Sequence, residues 1–155
     1  MTYPALTDAE ARDLRALAGV MIPASATYKV PGADDDLIFA DILKSLERDT
    51  DDVRTALKQL AALSGGAFAD LAPDRRRDVA ATFKQQGGAP LGALNRVVLL
   101  CYYRDDRVMR SLGQEPRSPF PKGHVVEQGD WSLLDPVRSR PKFWRDDRTA
   151  IKGDR

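Results

Sequence analysis

Apolar residues recur three and four positions apart in five successive runs, most of them closed by proline or glycine. That period dictates a fold of short packed helices. In "TDAE", Thr7 to Glu10 form a capping box, the hydroxyl and the carboxylate each satisfying an orphan backbone N–H. Leu14, Leu17, Ala18, Met21 and Ile22 follow at helical spacing, and Pro23 ends the run. The link "PASATYKVPGADDD" reads as an ordered loop. A second helix is predicted over about 35–48, capped by Asp34, with Leu37, Ile38, Ile42, Leu43 and Leu46 inward. A third, over about 51–64, turns in Val53, Leu57, Leu60 and Ala61 and stops at Gly65 and Gly66. The fourth takes Pro73 in its first turn, points Val79 and Phe83 inward and terminates at Gly87 and Gly88. The fifth starts near Pro90, carries the apolar run "VVLLCYY" and is expected to be the central, most buried helix. It continues or kinks at 104–106 into "DDRVMRSLG", where Gly113 is a natural C-terminal cap. Leu14, Leu17, Ile42, Leu57, Leu60, Phe83, Val98 and Leu99 are the expected core.

After Gly113 the periodicity stops, apart from one turn at "DWSLLDP", and five of the chain's ten prolines lie in 114–155. The expected fold class is therefore all-α: a small bundle of five to six helices over 1–113, with a long, irregular, proline-rich C-terminal arm over 114–155. That arm holds both tryptophans, Trp131 and Trp144, along with Phe120 and Phe143. Burying four aromatic rings does not offset the entropy of ordering some forty residues, so the arm must be anchored along a surface, its own bundle or another protein. Trp and Arg are the types most enriched at interface hot spots, and "VRSRPKFWR" alternates them.

Composition narrows the function. The formal net charge of +1 provides no global field toward nucleic acid or an anionic membrane. The charge is uneven, with 11 acidic and 5 basic side chains in residues 1–52 against 7 basic and 3 acidic in 138–155. One cysteine, Cys101, excludes an internal disulfide framework, a cysteine-rich metal site and a c-type haem attachment. The longest apolar run is too short to span a bilayer. The first residues carry no basic region followed by an apolar one and no twin arginine, which leads us to expect a cytoplasmic protein, or a periplasmic one if a partner carries the export signal.

Chemistry-bearing residues are sparse. His124 is the only histidine and lies in the arm, and Cys101 sits inside an apolar run where a thiol is buried and inert. "DDD" (34–36) and the "RDDR" clusters (104–107, 145–148) read as helix starts and solvated faces rather than metal ligands. No glycine pattern cradles phosphate, and "DRRRD" (74–78) lacks the interleaved aromatics of a nucleic-acid patch. No catalytic, cofactor-binding or metal-ligating residue is assigned.

At "LLCYYRDDRVMRSLGQEPRSPFPKGHV" an apolar helix runs into Tyr102 and Tyr103, then into a short helix ending Ser111-Leu112-Gly113, then into a proline-glycine segment at 119–123. With "LRALAGVMIPASATYKVPGA" near the start and "DWSLLDPVRSRPKFWR" near the end, the order and spacing resemble the gluconate 2-dehydrogenase subunit 3 family over about 10–145. The resemblance implies a non-catalytic small subunit of a flavin-dependent dehydrogenase of the glucose–methanol–choline type, which oxidises sugars, glycosides or other alcohols. The FAD and the catalytic bases would reside in the large subunit, with a cytochrome c as a possible electron acceptor. The small subunit would support the large one's maturation, solubility and, in many members, export. This chain departs from those members in lacking their twin-arginine signal. On this basis Tyr102, Tyr103, Phe120, Trp131, Arg138, Phe143 and Trp144 are the expected partner-binding residues. The competing readings are a free-standing helical regulator that binds nucleic acid through "DRRRD" and the basic end, and an enzyme using Cys101 or His124.

Overall fold

The computed structural model describes residues 5–118, 120, 122–123 and 125–143, and its architecture is all-α. The chain divides into two units, 1–117 and 118–155. In the first, six helices enclose one core: α1 (Asp8–Met21), α2 (Asp36–Lys44), α3 (Thr50–Ser64), α4 (Pro73–Gln86), α5 (Ala89–Arg104) and α6 (Asp106–Ser111). In the second, a 3-10 turn (Trp131–Leu134) leads into the single turn α7 (Asp135–Arg138).

Local chemistry sets the helix ends. At α1 the capping box closes as its sequence requires, with the Thr7 N–H donating to Glu10 Oε2 at 2.8 Å and the Glu10 N–H donating to Thr7 Oγ1 at 3.3 Å. The 23–34 link is ordered by two backbone hydrogen bonds pairing Ser25 with Val30 (3.0 and 3.1 Å). Gly32 is required there, because a Cβ at this position would lie 2.9 Å from the backbone nitrogen of Ala24 and 3.1 Å from the Ile22 carbonyl oxygen. α3 stops at Gly65, whose φ of 70° is left-handed. α5 breaks at Asp105, whose extended ψ of 130° ends one helix while its carboxylate caps the next.

α3 and α5 are the central pair, with α2 packed on α5 and α4 on α1 and α3. Leu14 and Leu17 from α1, Ile38 and Ile42 from α2, Val53, Leu57 and Leu60 from α3, Phe83 from α4, and Leu94 and Val98 from α5 are buried. Phe68, buried completely, comes from a 3-10 turn (Phe68–Asp70) rather than a helix. That turn is pinned by the Ala69 N–H donating to Asp13 Oδ1 at 2.8 Å and by Arg76 Nη2 donating to the Ala69 carbonyl at 2.5 Å.

Four expectations are corrected. The cap of α2 is Asp35, not Asp34, and the helix closes at Lys44, with Leu46 reaching the core from the bend that follows. Leu37 and Leu43 are exposed, because α2 buries the arc Ile38, Phe39, Ile42 and these two lie one position outside it. On α3 the small core residue is Ala56, with Ala61 only half-buried. Leu99 is not in the core: the buried positions of α5 are 91, 93, 94, 97, 98, 101 and 102, one stripe at helical spacing, and Leu99 falls outside it at 42% exposure.

Truncating Leu60, fully buried on α3, to Ala should therefore cost about 2–5 kcal/mol in urea unfolding, through lost transfer energy and a cavity in the core. Leu99→Ala should stay within about 1 kcal/mol of the parent. Equal losses at the two positions would mean that the assignment of the α5 faces is wrong.

Candidate partner-binding surface

The C-terminal half of α5 is held against α2 by arginines. Arg104 forks onto Asp41, Nε to Oδ2 at 2.5 Å and Nη2 to Oδ1 at 2.6 Å, and also donates to Ser45 Oγ at 2.5 Å. Arg107 lies between two helix-capping carboxylates. It donates to Asp35 (2.7 and 3.2 Å), which accepts the Leu37 N–H at the start of α2, and to Asp105 (3.0 Å from both Nε and Nη2), which accepts the Arg107 N–H at the start of α6. The guanidinium therefore ties two helix starts together. Farther back along α5, Arg96 reaches Asp49 at 2.6 Å. The "RDDR" at 104–107 is thus a tertiary tie, and the "DDD" at 34–36 is a helix start. Asp35 caps, and Arg15 of α1 binds Asp36 while its Nε donates to the Asp34 carbonyl at 3.0 Å.

With one side of α5 committed to the core and the neighbouring arc to α2, the remaining arc carries Leu99, Leu100 and Tyr103 to solvent. Tyr103 is 54% exposed, its ring edge-on to Tyr102 at 5.3 Å between centroids and 85° between planes. Tyr102, expected at a partner surface, is instead a core residue whose hydroxyl donates to the Pro31 carbonyl at 3.3 Å. Burial, helped by the neighbouring Tyr103 and Asp105, pushes its phenol above the ordinary range. The ridge is therefore Leu99, Leu100 and Tyr103 supported from beneath by Tyr102. Sequence reasoning missed Leu99 and Leu100; the signal for them was an α5 run too apolar for a single buried stripe.

In the second unit, Asp130 starts the turn that displays Trp131, accepting from the Ser132 N–H at 3.0 Å and the Ser132 hydroxyl at 2.6 Å. Trp131 is 59% exposed, and its indole N–H donates to Gln128 Oε1 at 3.1 Å, so the ring is oriented by its polar edge while its faces stay open. Leu133, Leu134, Val137, Phe120 and Phe143 are exposed too. Arg138 pairs with Asp135 at 3.2 Å across one turn of α7, an exposed pair. Trp144 and His124 lie outside the described residues.

Cys101 is buried, with Arg104 Nη2 at 3.6 Å from its sulfur. Burial pushes the thiol above its usual range, so it is protonated at neutral pH and a poor nucleophile. Among the described residues, no group of three or more His, Cys, Asp or Glu side chains is arranged to hold a metal ion. Nor is any helix among them long and apolar enough to cross a membrane. No protein-family model, curated protein or solved structure matches the chain.

The arginine tie has a pH signature. The Arg107 hydrogen bonds hold the carboxyls of Asp35 and Asp105 below the ordinary aspartate value of 3.8. A carboxylate with a depressed folded pKa contributes stability that is present above its unfolded value and is lost as pH falls through the folded one. Urea midpoints measured from neutral pH downward should therefore drop below about pH 4 more steeply for the parent than for Arg107→Met, with the two converging at the acid end. Parallel curves would show that the tie adds no linked stability.

Proposed function

We propose that this chain is the non-catalytic small subunit of an FAD-dependent dehydrogenase of the glucose–methanol–choline type, binding a large flavoprotein subunit and supporting its maturation, solubility and stability. The observation that carries the reading is the amount of large apolar surface left open at defined places. It comprises the Leu99–Leu100–Tyr103 ridge of α5 in the first unit, and Phe120, Trp131, Leu133, Val137 and Phe143 in the second. Side chains of this kind need a counter-surface, and apolar patches rimmed by polar groups mark protein interaction sites. Arg96 and Arg104 flank the ridge, as interface rims commonly have it.

The identity of the partner rests on the residue order that resembles the gluconate 2-dehydrogenase subunit 3 family, from the apolar helix through Tyr102-Tyr103 to the closing "DWSLLDPVRSRPKFWR". The buried, protonated Cys101 is consistent with a subunit that leaves the chemistry to another chain. In this reading the oxidised group is an alcohol carbon of a sugar, glycoside or related compound, the FAD is held by the large subunit, and electrons leave to an acceptor such as a cytochrome c. Tyr103, Trp131, Arg138 and Phe143 take the partner contact, with Trp144 assigned to it by sequence. Tyr102 acts as the support beneath Tyr103.

A tagged chain drawn from its native host should bring down a stoichiometric larger protein whose visible spectrum has flavin bands. Trp131→Ala and Tyr103→Ala should each reduce recovery of that protein by about tenfold, while the far-ultraviolet circular dichroism of the purified small subunit stays unchanged. A colourless eluate containing only the 17.1 kDa chain would remove the proposal.

A further inference from the structure

A second surface, separate from the Leu99–Tyr103 ridge, has a charge pattern that the dehydrogenase reading does not use. Between α1 and α4 runs a groove of about 370 Å³ floored by Leu17, Val20, Met21, Phe83 and Leu91. Past Val20 and Arg77 it continues into a second cleft of about 370 Å³, between Gly19, Pro23 and Asp34 on one side and Pro73 and Arg76 on the other. The width comes from small side chains. Ala16 and Gly19 on α1 face this space, as do Ala80 and Ala81 on α4, so the paired helices leave a trough between them where larger residues would close it.

Its rim is cationic. Arg77 and Lys84, one helical step apart twice over along α4, border the apolar part, and Arg76 borders the continuation. These cations are poorly neutralised. Among the described residues, Lys84 makes no ion pair, Arg77 pairs with the exposed Asp74 on its own helix, and Arg76, whose Nη2 donates to the Ala69 carbonyl, pairs with no carboxylate. Among the described residues, Asp34 is the single carboxylate lining either cleft. The "DRRRD" segment thus borders a groove rather than a nucleic-acid face, since the part of the floor open to a guest is the aliphatic Val20 and Met21, and the one ring beneath it, Phe83, is buried and open to neither a base nor a leucine.

We propose that this groove docks an amphipathic helix of a partner protein, its leucine-type side chains seated on the Val20–Leu91 floor and its flanking glutamates or aspartates meeting Arg76, Arg77 and Lys84. An apolar trough between two helices is the shape that receives a third, and an acidic rim on the guest complements the basic rim of the host. The proposal goes beyond the flavoprotein reading and does not depend on it: the guest is defined by its chemistry, whatever cofactor its protein carries.

The test uses the full chain and a fluorescein-labelled helical peptide of about 18 residues, with leucines three and four apart and glutamates flanking them. A twin with lysine at every glutamate position is the control. The acidic peptide should raise fluorescence anisotropy saturably and the lysine twin should not. The exposed double change Arg77→Glu with Lys84→Glu should weaken the acidic peptide by about tenfold or more and shift the preference toward the twin. Ala81→Trp, which fills the trough from an exposed position, should abolish binding of both, with the unfolding midpoint confirming that each variant is folded. Equal binding of the two peptides, no binding of either, or indifference to both variants would overturn the proposal. So would duplex DNA that binds more tightly than the acidic peptide and loses affinity in the same double variant, because the rim would then be a nucleic-acid site.

Discussion

The guanidinium of Arg107, set between the capping carboxylates of Asp35 and Asp105, is the interaction on which the C-terminal half of the helical unit depends. Each carboxylate already accepts a backbone N–H at a helix start, so one side chain fixes the beginning of α2 to the beginning of α6. Isolated surface ion pairs contribute little, but a planar donor shared by two half-buried, hydrogen-bonded carboxylates is a network with set geometry. One turn earlier Arg104 repeats the attachment at Asp41. Together they decide which arc of α5 meets α2, and therefore which arc faces outward with Leu99, Leu100 and Tyr103.

The uneven charge of the chain acquires a structural meaning from the same contacts. Much of the acidic excess of residues 1–52 is taken up by arginines far along the sequence: Asp35 by Arg107, Asp41 by Arg104 and Asp49 by Arg96. Among the described helices Lys44, Lys58, Arg75, Arg76 and Lys84 make no ion pair, and three of these five lie on α4. A balanced total thus conceals one basic edge, and that edge borders an apolar trough.

Helix starts and stops were legible because their causes are local. Thr7 and Glu10, Pro73, Gly65 and Gly87 each act within a turn of where they stand. The face of a helix was legible only where a single stripe is apolar. In α5, apolar residues run nearly all the way round, so periodicity could not separate Val98, which is buried, from Leu99, which is not. Phe68 escaped notice because it enters the core from a turn between helices, held by Asp13 and Arg76 rather than by any local period. The Arg104 and Arg107 contacts span 63 and 72 positions, a range over which a sequence pattern carries no pairing information. Aromatic enrichment singled out the Tyr102-Tyr103 pair, but only packing distinguishes Tyr102, which is buried, from Tyr103, which projects.

If the open apolar side chains of the second unit are covered by another protein, as proposed, hydrogen–deuterium exchange will register it. The chain would be measured alone and again in the complex recovered from its native host. Amides across 125–143 should exchange rapidly in the isolated chain and become protected in the complex, while those of α3, already enclosed in the core, should change little. Amides across 125–143 that are equally fast in both states, or already protected in the chain alone, would contradict it.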